Sequence, residues 1–255
     1  MKLTRSVVPS LFTVLNMFCG FLSIVHTSRT DYTLAAWFII LAAVFDSLDG
    51  VMARLTKSSS DFGVEFDSLS DVVSFGVAPS FLVYSIQLRS LEGIGMLISA
   101  MPMVFGALRL ARFNVQLVGY DKDYFKGLPI PSAAVTLCAF ILSSFQEGIL
   151  SYGLEARLLA PMVVIVSLLM VSSIPYDTLP RFSRRGIKQH PLRFTIAVIG
   201  LTAIVLTKGQ ALFPFFLFYV ASGPLRYMVH FVGHALHPAG KAGEAEETEV
   251  TSIDV

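Results

Sequence analysis

Charge is scarce in this chain. Asp, Glu, Lys and Arg together make up 15% of its 255 residues, against about a quarter in a typical soluble domain. The formal net charge is +1, so bulk basicity gives no reason to expect a nucleic-acid partner. Cysteine is scarcer still. Cys19 and Cys138 both lie in apolar runs, which excludes a disulfide framework and a cysteine-based zinc site. The first apolar stretch has no small-residue cleavage site after it, so it reads as a spanning segment and not as a removable signal peptide. No repeat of fixed period is visible.

Apolar sequence fills the space that charge leaves. Hydrophobic residues make up 54% of the chain and the mean hydropathy is +0.69. Neither a soluble domain nor a disordered one fits those values over this length. A stretch of about 20 apolar residues spans a bilayer as a helix. Eight such stretches are expected, at 8–27, 33–54, 63–87, 92–113, 130–149, 156–176, 193–207 and 210–231. The chain is therefore expected to be an all-α integral membrane protein. One membrane domain covers 1–238, and a flexible cytoplasmic tail rich in Gly, Ala, Glu and Thr covers 239–255.

The basic residues give the orientation. With eight crossings and the N-terminus in the cytoplasm, the outer side holds Arg29, Arg89, Arg157 and Lys208. The other fifteen of the 19 Lys and Arg fall on the inner side. That is a clear positive-inside bias, and shifting the helix count by one would break it. Both termini are expected in the cytoplasm.

The acidic residues are sorted as well. Six of 18 fall between positions 46 and 71: Asp46, Asp49, Asp61, Glu65, Asp67 and Asp71. An ionisable group at membrane depth costs about 2.5–3.5 kcal/mol on the insertion scale. Several in one place require compensation. Asp46, Asp49, Gly50 and Ala53 share one helix face; Gly63, Asp67 and Asp71 share a face on the next helix. The link from Leu55 to Phe62 lets the two helices return antiparallel, so the acidic faces can oppose each other. Asp46 lies about 12 Å inward from Arg54 at the helical rise. The expected result is a pocket of up to four carboxylates open to the cytoplasm. They cannot all stay ionised without countercharge. A hard divalent cation with oxygen ligands, Mg2+ or Mn2+, supplies it. The small residues on the same faces allow close helix packing or close approach of a ligand.

The window DSLDGVMARLTKSSSDFGVEFDSLSD resembles the signature of the CDP-alcohol phosphotransferases, D-x2-D-G-x2-A-R-x8-G-x3-D-x3-D. Asp46, Asp49, Gly50, Ala53, Arg54, Gly63, Asp67 and Asp71 match every fixed position. The stretches PSLFTVLNMFCGFLSI, VVSFGVAPS, ALRLARFNVQ, FKGLPIPSAA and MVSSIPY are similar to the phosphatidylserine synthase branch of that family, which carries the resemblance to about Tyr176. The eight-helix count agrees with that branch.

The resemblance implies a reaction, a cofactor and partners. CDP-diacylglycerol is the donor, L-serine the acceptor, and phosphatidylserine and CMP the products. Carried over by position, Asp46, Asp49 and Asp67 are metal ligands. Asp71 is the general base and also touches metal. Gly50, Ala53, Arg54 and Gly63 lie on the CDP-diacylglycerol side. The resemblance further implies a homodimer in the inner membrane of a prokaryote, surrounded by lipid, with its site facing the cytoplasm.

Other polar residues are less determined. Thr13, Asn16 and Gly20 form a small polar stripe in the first span. Asn16 is placed to reach the cytidine or the metal pocket, or to make an interhelical hydrogen bond. Serine's carboxylate asks for a cation, and Arg112 and Lys126, with Asn114 and Ser132, are the candidates near the inner ends of the fourth and fifth spans. Five basic residues between Arg181 and Arg193 read as a topology signal or a contact for anionic lipid. His230, His234 and His237 share a helix face and read as interfacial histidines, with metal binding as the alternative. Two rivals to the serine-dependent enzyme follow. One is a sister enzyme that takes inositol phosphate or glycerol phosphate, because the signature reads the donor. The other is a divalent-cation transporter. Transport needs a polar path through the whole membrane, and the outer halves of these spans are apolar.

Overall fold

The computed structural model describes residues 3–56, 61–117, 127–147, 152–176, 207, 209 and 211–236. All regular structure among them is helical. In chain order the helices are α1 (Leu3–Ser28), α2 (Tyr32–Thr56), α3 (Asp61–Asp71), α4 (Ala78–Ile86), α5 (Glu92–Leu117), α6 (Ile130–Glu147), α7 (Tyr152–Val171) and α8 (Leu212–Leu236). A π-helical turn, Val72–Val77, makes α3 and α4 one continuous rod.

Five segments are long and apolar enough to cross a membrane: Leu11–Ser28, Tyr32–Ala53, Phe62–Ile86, Leu88–Val115 and Leu212–Val229. They coincide with the first four expected spans and the eighth. The fifth and sixth appear as shorter apolar helices, Ile130–Ser144 and Arg157–Val171. The seventh, 193–207, lies outside the described residues apart from Thr207, as does the tail after residue 236. The protein is thus an integral membrane protein, helical throughout the described residues.

The core lies where α2 and α6 meet the α3–α4 rod, with α7 packed against α5 and α6. Ala35, Ala36, Ile39 and Ala42 of α2 are buried there with Ala134, Leu137 and Cys138 of α6 and Val163 and Val166 of α7. Alanines at these positions let helix backbones approach closely, the usual packing solution where lipid removes the hydrophobic drive between helices. Leu97, Phe218 and Val229 point outward, as lipid-facing side chains do. Cys19 and Cys138 are buried free thiols, in keeping with the absence of a disulfide framework.

Prolines shape the rods. Pro79 removes the N–H that would bond the Phe75 carbonyl. The turn before it widens, with the Ala78 N–H bonding the Val73 carbonyl five residues back. Pro102 interrupts α5, and the next N–H, on Met103, donates instead to Ser80 Oγ at 3.1 Å. A Cβ at Gly76 would lie 3.3 Å from the Met103 Cα, so the rod and α5 run in close contact. This antiparallel pairing fixes which α5 residues stand level with the end of α3.

Candidate active site

Two helix ends supply the acids. α2 carries Asp46 and Asp49 in its last turns, and α3 carries Asp67 and Asp71 one turn apart. One carboxylate oxygen from each of Asp46, Asp67 and Asp71 lies within 4.8 Å of the others. Asp49 is 8% exposed, as is Asp71; Asp46 and Asp67 are half-buried. Opposed acidic faces, expected from the spacing, are therefore what the fold brings together, with Asp49 adjoining the trio.

α1 fixes the pocket from the side. The Thr13 hydroxyl donates to Asp49 Oδ2 at 2.8 Å, and Asn16 Nδ2 donates to Asp71 Oδ1 at 3.1 Å. The rod returns the contacts to the α1 backbone: Ser70 Oγ donates to the Thr13 carbonyl at 3.1 Å and Ser74 Oγ to the Asn16 carbonyl at 2.8 Å. A Cβ at Gly20 would overlap Ser74, so glycine permits the closest approach. The polar stripe of the first span thus forms interhelical hydrogen bonds, and two of its side chains hold signature aspartates.

The carboxylates keep unspent acceptor capacity. Asp49 Oδ1 and Asp67 Oδ1 are both enclosed and without a hydrogen-bond partner. Unsatisfied buried acceptors are costly and rare. Three converging carboxylate oxygens with further orphaned acceptors beside them fit a hard divalent cation by ligand type and by number. The donor set is all oxygen, which disfavours a soft metal.

Space remains on the ligand side. Gly50 is exposed, and a Cβ there would meet nothing within 4 Å. Ala53 and Gly63 are half-buried. Arg54 belongs to α2, and its side chain lies outside what is described.

The residues expected to meet serine divide. Arg112 is exposed. Asn114 is engaged at the rim of α3, donating to Ser68 Oγ at 3.1 Å and to Glu65 Oε2 at 3.4 Å. Ser132 is buried in the first turn of α6, and no hydrogen bond among the described residues ties its side chain to the carboxylates. Lys126 lies outside the described residues, as do His237 and the side chains of His230 and His234.

One cation was read from the sequence for topology alone. Arg109 is half-buried on α5. The pairs Ser80–Met103 and Ser68–Asn114 bracket the register of α5 against the rod and set Arg109 opposite Val73 and Ser74, within one helical turn of Asp71. The signal for it was the run ALRLARF, with two arginines three residues apart.

Comparison with known proteins bears on the same elements. The family model described as CDP-alcohol phosphatidyltransferase matches residues 6–173. A CDP-diacylglycerol–serine O-phosphatidyltransferase from Helicobacter pylori is 37% identical over 86% of this chain and 90% of its own length. An archaetidylserine synthase from Methanothermobacter thermautotrophicus is 42% identical over 70% of this chain and 71% of its own. A CDP-diacylglycerol–serine O-phosphatidyltransferase from Bacillus subtilis is 36% identical over 70% of this chain and 93% of its own.

Proposed function

The chain belongs to the CDP-alcohol phosphatidyltransferase family, and on that premise we propose that it transfers the phosphatidyl group of CDP-diacylglycerol to L-serine. The products are phosphatidylserine and CMP. The observation that carries this reading is the convergence of the signature aspartates of α2 and α3 on one half-buried point. The names of the relatives agree on serine as the acceptor.

The chemistry follows from charge. A pyrophosphate brings about two negative charges to a pocket of carboxylates and would be repelled there. Asp46, Asp67 and Asp71, with Asp49 adjoining, are the residues that would hold Mg2+ or Mn2+, and that ion would screen the pyrophosphate and polarise the attacked phosphoryl group. Asp71 accepts the proton of the serine hydroxyl as its oxygen bonds to the lipid-linked phosphorus. The bond from that phosphorus to the CMP oxygen breaks, and CMP leaves with the electron pair. Asn16 holds the Asp71 carboxylate in place while this happens. Gly50, Ala53, Arg54 and Gly63 form the donor side, where the open space at Gly50 admits the nucleotide. The acyl chains stay in the bilayer.

The same reading sets the protein in a prokaryotic plasma membrane with eight crossings, both termini and the site on the cytoplasmic side, as a homodimer. The distribution of Lys and Arg supports the orientation. The test is acceptor-dependent CMP release from CDP-diacylglycerol by the purified protein, with and without EDTA. Release with L-serine that EDTA abolishes and Mg2+ or Mn2+ restores is the expected result. Release with inositol phosphate or glycerol 3-phosphate but not with serine would transfer the protein to a sister activity.

A further inference from the structure

The rim of the pocket is tied by a side chain that is neither a proposed ligand nor the proposed base. Asn114 stands half-buried near the C-terminal end of α5. Its Nδ2 donates to Ser68 Oγ at 3.1 Å and to Glu65 Oε2 at 3.4 Å. Ser68 Oγ has two acceptors within reach, the Val64 carbonyl at 3.0 Å and Asn114 Oδ1 at 3.5 Å. A hydroxyl has one hydrogen, and the shorter bond takes it to Val64. Ser68 then receives from Asn114 as an acceptor. Both amide hydrogens of Asn114 are thereby spent on α3, and neither is left for a substrate carboxylate.

The two partners straddle Asp67 in the sequence. Glu65 and Ser68 are three residues apart on α3 and share a face, and Asp67 is turned from Ser68 by about 100° around the helix. A helix held by that face cannot rotate without moving Asp67. Asp67 is one of the three acids whose oxygens converge within 4.8 Å. The bonds from Thr13 and Asn16 go to Asp49 and Asp71, while Asp67 Oδ1 is enclosed without a hydrogen-bond partner. Ser70 and Ser74 tie the rod to α1 on the C-terminal side of Asp67. Asn114 ties it on both sides. Groups that hold a metal ligand in place without touching the ion typically change metal affinity or activity 10- to 100-fold when they are removed.

We propose that Asn114 is a positioning residue for the metal site: by fastening Glu65 and Ser68 to α5, it fixes the rotation of α3 that aims Asp67 at the point where Asp46 and Asp71 converge. This rests on the divalent-ion site of the proposed function. Asn114, a candidate contact for serine in the sequence, then acts through α3 and not on the acceptor.

The test titrates the full-length protein in detergent micelles with Mn2+ and follows the free ion by electron paramagnetic resonance. The serine KM is measured separately at saturating Mn2+. Asn114→Ala should weaken Mn2+ binding about tenfold, the lower end of the range for such partners, and leave the serine KM unchanged. Ser68→Ala removes the acceptor of the shorter bond and should weaken Mn2+ binding in the same direction. The double variant should bind no more weakly than Asn114→Ala alone, because the two side chains make one contact. Val115→Ala, at a side chain that is 75% exposed on the same helix, should change neither quantity. Unchanged Mn2+ binding in Asn114→Ala, a raised serine KM, or full additivity with Ser68→Ala would overturn the proposal. Where Asn114→Ala does not fold, Mn2+ binding by Ser68→Ala decides alone. Absence of Mn2+ binding by the unaltered protein would instead refute the metal site of the proposed function.

Discussion

Asn16→Ala separates two jobs that a buried asparagine beside this site can do. Asn16 is fully buried, and its Nδ2 lies 3.1 Å from Asp71 Oδ1. Alanine removes that donor and little else. The contacts that hold α1 to the rod use the backbone carbonyls of Thr13 and Asn16, so they survive the substitution and the helices should stay in place. A hydrogen bond to a charged group is worth about 1.5–3 kcal/mol. If the bond orients the base, that energy is lost from the transition state, and each 1.4 kcal/mol is about tenfold in rate. The expected outcome is a fall of about 10- to 100-fold in kcat, with the KM for CDP-diacylglycerol nearly unchanged. Initial rates of CMP release, with each substrate varied in turn, supply both numbers. A higher donor KM at unchanged kcat would refute the argument and make Asn16 a contact of the cytidine. No change in either would show that the Asp71 carboxylate needs no fixing from α1.

Asp71→Asn should abolish transfer while the folded protein still binds CDP-diacylglycerol in the presence of Mg2+ or Mn2+, measured by titration calorimetry; full activity would remove Asp71 as the base. Asp46→Ala should lose metal-dependent donor binding in the same assay, because it removes one of the three converging oxygens. Gly127→Ala should lower the thermal midpoint in detergent, by an amount equivalent to about 1–3 kcal/mol or more. Gly127 has φ +88°, and an added Cβ would run into the Met170 carbonyl, while its N–H donates to the Ile174 carbonyl at 2.9 Å. An unchanged midpoint there would show that the 127–128 strap to the end of α7 contributes nothing to stability.

The acidic half of the site was legible because its information is local. Asp46 and Asp49 lie within one turn of a helix, as do Asp67 and Asp71, and a short link returns one helix against the other. Helical spacing alone then sets the four acids face to face. The α1 stripe was half legible. Its spacing showed that Thr13, Asn16 and Gly20 share a face, but not that this face meets Ser70 and Ser74. The basic half was not legible. Arg109 and Arg112 are three residues apart, about 60° on the helix surface, so periodicity cannot say which one turns inward. The answer lies in the register of α5 against the rod, which depends on Gly76 meeting Met103 and on Pro102 freeing a donor for Ser80. The attachment of α8 was further out of reach: Pro224 orphans the Val220 carbonyl, and the Tyr176 hydroxyl donates to it across 44 residues, a contact that leaves no spacing signal.

The choice of partners for the aspartates carries its own physical logic. Two of them could have been fixed by lysine or arginine, which bind carboxylates about twice as strongly as neutral donors do. Instead Thr13 and Asn16 hold them. A fixed cation on Asp49 would consume the negative charge that gives the pocket its affinity for a divalent ion, and its favourable interaction would have to be broken on loading. A hydroxyl or an amide orients one oxygen and leaves the carboxylate's charge available to the ion through the other. The enclosed, unpartnered Oδ1 of Asp49 is the consequence of that arrangement. Charge compensation from protein enters from α5, where Arg109 stands within one helical turn of Asp71 along the rod. On the proposed mechanism, that is also where the acceptor must bring its hydroxyl to the base. The described aspartates are therefore clamped by neutral groups of α1 at both Asp49 and Asp71, and their charge stays available to a divalent ion.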